Sequence, residues 1–297
     1  FSGSTSFDAI AVAAAEGSQN LGLLFGLVFV VAGLAFKVSA APFHMWTPDV
    51  YEGAPTPVAA FFATAPKLAA MVLLARVLME PFGPMTEQWQ QVTMVMAVLS
   101  MAFGSFGALM QSNIKRLMGY SSIGNMGYVL VGLSAGTALG LWSVLFYMTL
   151  YVIGVAGAFA VILSMRRSEG MVERIEDLSG LSQTRPALAW SMTALMFSIG
   201  GMPFMIGFFG KLFVFYAAVQ AGLIWLVILA VIFSTISIAY YLRVIKVIWF
   251  DEPTGDFLPA PTGAAIISRL AALIAVSMPV VGIIIALVVN AGAGIGG

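Results

Sequence analysis

The stretch LGLLFGLVFVVAGLAFKVSAAPFHMW, residues 21–46, settles the class of fold. Sixteen apolar or glycine residues precede Lys37, and Pro42 follows it within the same run. Two later stretches repeat the theme. TPVAAFFATAPKLAAMVLLARV (56–77) places Lys67 ten residues after Pro57, and GGMPFMIGFFGKLFVFYAA (200–218) places Lys211 eight residues after Pro203. None of the three lysines has a carboxylate near it in sequence. An ionisable group inside hydrocarbon costs roughly 2.5–3.5 kcal/mol on insertion scales, so such a residue marks an ion pathway or a proton relay. Three of them on separate helices favour a relay.

The rest of the chain agrees with a membrane setting. Of 297 residues, 61% are hydrophobic and only 9% charged, against about 25% charged in a soluble domain; mean hydropathy is +1.01. The expected fold class is therefore all-α, a polytopic integral membrane protein. The formal net charge of zero leaves no basic footprint for nucleic acid. With no cysteine, the chain offers no disulfide, thiolate metal site or iron–sulfur ligation, and the single histidine, His44, cannot build a metal site alone. Residues 1–19 lack a basic start and an initiator methionine, so they read as a loop, and the sequence as the later portion of a longer protein.

A span needs about 20 apolar residues. The apolar runs divide into about eight segments, near 20–45, 57–79, 88–110, 113–134, 138–165, 187–219, 222–250 and 264–291. Counting alternate loops, Lys115, Arg116, Arg166, Arg167, Arg174, Arg185, Arg243, Lys246 and Arg269 fall on one face and Arg76 alone on the other. The positive-inside rule makes the first face cytoplasmic. The loop 166–186 is then cytoplasmic and residues 1–19 a non-cytoplasmic loop. Residues 20–165 and 187–297 hold the spans.

Two segments read as discontinuous. One contains Pro42 after a small-residue run. The other, 187–219, is too long for one straight span and holds Gly200-Gly201-Met202-Pro203 at its middle. Proline removes a backbone donor and clashes with the preceding turn. Open backbone at membrane depth survives only inside protein or beside water, and a pair of such segments points to an inverted-repeat transporter. An ordinary proline kink is the plainer alternative for either one.

Desolvation lowers the pKa of a lysine and a nearby carboxylate raises it. A lysine held between these effects can lose and regain a proton near neutral pH, which arginine cannot do. Lys67, near mid-span, is the strongest candidate; Lys37 and Lys211 are closer to places where a long side chain reaches an interface. All 13 acidic residues sit in loops or at span ends, so a carboxylate partner has to come from outside these helices. His44 can relay protons between the lysine layer and the cytoplasmic surface or anchor the interface with Trp46 and Tyr51. Ser121 and Ser122 can line a hydrated path or bond a neighbouring helix. Asn113, Lys115 and Arg116 read as the anchored start of a helix.

At these residues the chain resembles a known family. FKVSAAPFHMWTPDVYEGAPTPVAAFFATAPK (36–67), QSNIKRLMGYSSIGNMGY (111–128), GFFGKLFVF (207–215) and AYYLRVIKVIWFDEP (239–253) resemble the N subunits of bacterial NADH:quinone oxidoreductase, respiratory complex I. Those subunits are related to Mrp-type cation/proton antiporters. The resemblance implies that the spans correspond to helices 7 to 14 of a 14-helix antiporter-like fold. It also implies that Lys37 and Lys211 lie on the broken helices 7 and 12, and that Lys67 is the connecting lysine of helix 8. The family pairs the first lysine with a glutamate on helix 5, which has no position in this sequence. One departure is local: the chain reads Gly201-Met202-Pro203-Phe204-Met205 where the family usually has a second proline.

The expectation is thus a proton-translocating subunit in a bacterial inner membrane, or alternatively a mitochondrial one. Its partners would be other membrane subunits and the bilayer. FMN, iron–sulfur clusters and a quinone would reside in other subunits, with no cofactor or metal in this chain. Two alternatives stand beside it: a subunit of an Mrp-type antiporter or membrane-bound hydrogenase, and a non-transporting scaffold whose lysines only form ion pairs.

Overall fold

A computed structural model describes residues 2–16, 21–168 and 170–277. Five helical stretches among them are long and apolar enough to cross a membrane: Leu21–Val38, Thr56–Met79, Gly83–Leu109, Ala138–Leu163 and Ile224–Phe250. The helices run in the order α1 (Phe7–Glu16), α2 (Leu21–Val38), α3 (Trp46–Gly53), α4 (Thr56–Ala63), α5 (Ala65–Met79), α6 (Thr86–Leu109), α7 (Ile114–Leu133) and α8 (Ala138–Leu163). They continue with α9 (Leu181–Thr184), α10 (Pro186–Gly200), α11 (Ile206–Gln220), α12 (Ile224–Phe250) and α13 (Thr262–Val276). The expected last segment, 264–291, is described only as far as α13; the remainder lies outside the described residues.

The core is organised around α7, the least apolar of the long helices. Every residue of α7 except Arg116 and Tyr120 is buried, and α3, α6, α8, α11 and α12 all pack on it. A helix carrying Ser121, Ser122 and Asn125 is suited to this place, because hydroxyls and amides find partners on neighbouring helices and not among lipid chains. Asn113 starts it, its side chain accepting from the backbone N–H groups of Lys115 at 2.8 Å and Arg116 at 3.1 Å, as N-cap residues do.

The α6–α7 crossing is close because glycine faces glycine: a Cβ on Gly104 would collide with the backbone of Gly124. No side-chain movement can relieve a clash with backbone. Gly104→Val is expected to cost about 1–3 kcal/mol, as overpacking does, read as a lower melting temperature of the purified protein. An unchanged melting temperature would show that the helices separate without penalty.

Three interruptions shape the interior. At the first, α2 ends at Val38, Ser39 takes φ 64° and α3 begins at Trp46. The indole of Trp46 donates to Phe36 O at 2.9 Å, and Ser100 Oγ accepts from Ala41 N at 2.8 Å. At the second, α10 ends at Gly200, Gly201 adopts φ 82° and Phe204 φ 71°, and α11 starts at Ile206. Gly207 then passes so close to the Ser198 carbonyl that any Cβ would strike it. The third was not read from the sequence: 57–79, expected to be one helix, divides at Thr64 (φ −119°, ψ −91°) into α4 and α5. Its cause is Pro66, which has no N–H to return to Phe62 O.

Two expected loops contain structure. Phe7–Glu16 is helical instead of open loop, its alanine-rich sequence favouring that state. Within 166–186, Arg166–Arg167 and Gly170–Met171 form a small antiparallel hairpin, followed by short helical turns. Outward-facing Phe25, Phe29, Trp225, Ile228 and Ile232 are exposed, as expected of surfaces that meet acyl chains.

Candidate functional site

Lys67 lies in the first turn of α5, immediately after the Thr64 interruption, and is fully buried, 0% exposed. Its Nζ donates to Ser122 Oγ on α7. The same Ser122 oxygen pairs with Tyr151 Oη of α8 at 2.6 Å, and the Tyr51 ring centroid stands 5.3 Å from Nζ. Lys211, on α11, is 5% exposed. Its Nζ donates to Gly200 O at 2.8 Å and to Ser234 Oγ at 2.9 Å, and lies 4.5 Å from the Tyr128 ring centroid. Gly200 is the last residue of α10, so the interruption leaves free the carbonyl that Lys211 uses.

Both lysines thus have neutral partners, and among the described residues neither has a carboxylate within ion-pair distance. Holding a permanent charge in such surroundings is expensive. A group that can exchange its proton with neighbouring hydroxyls or water avoids that cost.

The region between them is polar. Ser121 Oγ pairs with Tyr241 Oη at 2.6 Å, Asn125 Nδ2 donates to Ser121 O at 2.7 Å, and Tyr147 Oη donates to Asn125 Oδ1 at 2.7 Å. Asn125, Tyr147, Tyr151 and Ser198 line a cavity of about 20 Å³ together with Leu150, Ile199 and, from α11, Gly207 and Gly210. That is room for about one water molecule with several polar partners. One wall, Tyr151, belongs to the Lys67 network; another, Gly210, adjoins Lys211. A second cluster joins Ser105 to Ser237 at 3.0 Å and Ser237 to Tyr128 at 3.3 Å.

The other expected residues lie elsewhere. Lys37 is exposed on α2 beside exposed Phe36, and no bond joins it to the Lys67 network. His44 is half-buried and stacks on Phe103 with centroids 5.0 Å apart; its Nδ1 has no partner. Ser39 Oγ and Thr47 Oγ1 are likewise buried and unpartnered, as is Tyr51 Oη, although Ser122 and Tyr151 stand beside it. Buried polar atoms of this kind are ordinarily satisfied by ordered water. Pro42 lies in the turn between α2 and α3, and Gly201 and Pro203 in the turn between α10 and α11. Ser121 and Ser122 both enter the network, facing Tyr241 and Lys67.

Sequence reasoning missed Asn125, Tyr147, Tyr151, Ser198, Ser234 and Tyr241 as site residues. Their available signal was the recurrence of tyrosine, serine and asparagine inside otherwise apolar helices. It also missed the buried ion pair of Lys115 with Glu173, where Lys115 Nζ also donates to Ala54 O at 2.9 Å. Arg116, more exposed, binds Asp49 at 2.6 Å and Glu52 at 2.8 Å.

Residues 1–237 match the family model described as NADH:quinone oxidoreductase/Mrp antiporter, TM. Among curated relatives, the NADH-quinone oxidoreductase subunit N of Maricaulis maris is 65% identical over 283 residues, covering 95% of this chain and 59% of the relative. Subunit N 1 of Rhizobium meliloti is 57% identical over 258 residues, covering 86% of this chain and 54% of its own length. The chain therefore spans little more than half of these relatives. A chain of respiratory complex I from Thermus thermophilus superposes with a TM-score of 0.75 at 33% identity, covering 92% of this chain and 58% of that one. A chain of the Mrp complex from Dietzia sp. gives a TM-score of 0.85 at 22% identity over 98% of this chain and 62% of that one, a likeness of fold.

Proposed function

The chain belongs to the NADH:quinone oxidoreductase/Mrp antiporter transmembrane family, and from that premise we propose that it moves protons as part of the N subunit of a bacterial NADH:quinone oxidoreductase. It is a multi-pass protein of the bacterial inner membrane. One observation carries the proposal: a water-sized cavity is lined both by Tyr151, which reaches buried Lys67 through Ser122, and by Gly210, the neighbour in sequence of buried Lys211, and each lysine has neutral partners.

In this reading Lys67 and Lys211 hold the transferable proton. Ser122 and Tyr151 accept and pass it on one side, and the cavity water, Asn125 and Ser198 connect to the α10–α11 turn on the other. The buried hydroxyls of Ser39 and Thr47, between Lys37 and Tyr51 in sequence, support a second hydrated stretch leading from Lys67 toward Lys37. Lys37, exposed on this chain, takes a carboxylate partner from another segment. The eight segments correspond to helices 7 to 14, with the α2–α3 and α10–α11 turns as the two discontinuous helices. Residues 20–165 hold the earlier spans, 166–186 a cytoplasmic loop and 187–297 the later spans. The driving redox chemistry, with FMN, iron–sulfur clusters and quinone, belongs to other subunits.

An Mrp-type antiporter subunit is the nearest alternative within the same fold. The 65% identity to a subunit N favours the oxidoreductase. A non-transporting scaffold would keep its buried lysines dry and paired with carboxylates, which the neutral partners of Lys67 and Lys211 argue against.

Lys211→Leu in the assembled complex tests the reading. Proton pumping in proteoliposomes is expected to fall about tenfold or more, since a positioned acid–base group contributes about 10²–10⁴-fold. Normal pumping with normal assembly would remove Lys211 from the route.

A further inference from the structure

On the face that carries the basic loops, α4 and α13 both pack on α8 and leave a gap beside it. They leave an apolar groove of about 410 Å³, floored by Ala60, Phe159 and Ala160 and rimmed by Phe61, Leu163 and Ile267. Phe61 and Ile267 are 58% and 49% exposed, so on this chain the groove opens sideways. Small residues on all three helices create the gap: alanine and glycine leave space where larger side chains would interlock.

At its end the groove runs into a second pocket, of about 390 Å³, with which it shares Thr56, Pro57 and Leu163. This pocket is polar. Glu52 and Glu173 line it, together with the Gly53–Ala54 end of α3, where helix carbonyls concentrate partial negative charge. Two cations serve this end: Lys115, buried and engaged by Glu173 and Ala54 O, and Arg116, which binds Glu52 and Asp49, so three carboxylates face two cations. The side chains of Glu52 and Glu173 remain 41% and 26% exposed. The pocket therefore offers acceptors and negative charge toward the membrane surface, directly above an acyl-sized apolar slot.

We propose that this composite groove binds one aminophospholipid of the adjoining leaflet, its acyl chain between α4, α8 and α13 and its headgroup ammonium against Glu52 and Glu173. Two features make the occupant a lipid with a primary amine. The polar and apolar halves are stacked as they are in a phospholipid, and the acceptors at the top suit a group with three N–H donors. Three carboxylates against two cations leave an excess of one negative charge, which disfavours an anionic headgroup. The inference requires that the chain span a membrane and does not depend on proton transfer through the lysines.

The test uses the purified full-length complex in nanodiscs with phosphatidylethanolamine or phosphatidylglycerol analogues carrying a diazirine at the acyl end. Ethanolamine lipid is expected to label peptides containing 56–64, 156–163 and 263–267, with about tenfold preference over the glycerol analogue, the worth of one charge-assisted contact. Glu52→Gln should reduce that preference, and Ala160→Trp should abolish groove labelling by filling the slot. Ile267→Trp does the same from the exposed rim should Ala160→Trp fail to assemble. Lys67→Ala should leave labelling unchanged, separating this site from the proton route. Equal labelling by both lipids, labelling that survives both tryptophan variants, or a cysteine at 267 cross-linking to another protein segment in place of lipid would overturn the proposal.

Discussion

Lys67→Ala is expected to abolish most proton pumping while leaving the complex assembled. The side chain is fully enclosed, so no neighbouring cation can take its place, and its Nζ is the group that links α5 to the Ser122–Tyr151 pair. On the proposed route its removal takes away a group that can hold the proton, and Ser122 loses its amine partner while keeping Tyr151. A fall of about tenfold or more is expected on the same acid–base argument. The truncation also opens a cavity, so assembly must be checked by native gel and by the melting temperature. Lys67→Met, which refills most of the volume without a titratable group, should assemble normally and still fail to pump. Pumping at the normal rate in assembled Lys67→Met would exclude Lys67 from the pathway.

The second large effect is expected at Asn125, a residue that carries no charge. Its side chain donates to Ser121 O and accepts from Tyr147, and it lines the cavity between the two lysine networks. Asn125→Leu puts an apolar group into the water-sized cavity and leaves the Tyr147 hydroxyl without its acceptor. Stranding a buried hydroxyl costs about 1–3 kcal/mol, and filling the cavity closes the proposed route. Pumping should fall about tenfold or more by the acid–base argument, with both lysines intact. Asn125→Ser keeps a small polar group, leaves more room for water and should retain most pumping. If Asn125→Leu pumps like the wild type, the connection between the lysines does not pass through this cavity.

Much of the architecture was legible because membrane solvation is a strong and local rule. Long apolar runs had to become helices, since only helices satisfy their own backbone groups in hydrocarbon. Pro42 and the Gly200–Pro203 sequence marked places where that rule had to be suspended. The buried positions of Lys67 and Lys211 agree with the high cost of their charge at mid-span. The Thr64 interruption was equally available in Pro66, and was passed over because the surrounding run remains continuously apolar.

The partners of those lysines were not legible. Ser122 lies 55 residues from Lys67, and Ser234 lies 23 residues from Lys211. Which hydroxyls meet which amine depends on how closely α6, α7, α8 and α11 pack, and that is decided by glycines such as Gly104 and Gly124 across a helix crossing. Lys37 shows the converse. By sequence it lies in an apolar run closer to an interface than Lys67, and in the structure it faces outward, because α2 packs on α5 through the face of Leu27, Val31 and Ala35. What the sequence by itself determined was the class of fold and which ionisable residues lie in apolar runs, since each follows from the free energy of one segment in hydrocarbon. What only the tertiary structure decided was which of those residues share a network, where the water-sized cavity lies and which face stays open, since these depend on the contact of segments far apart in the chain.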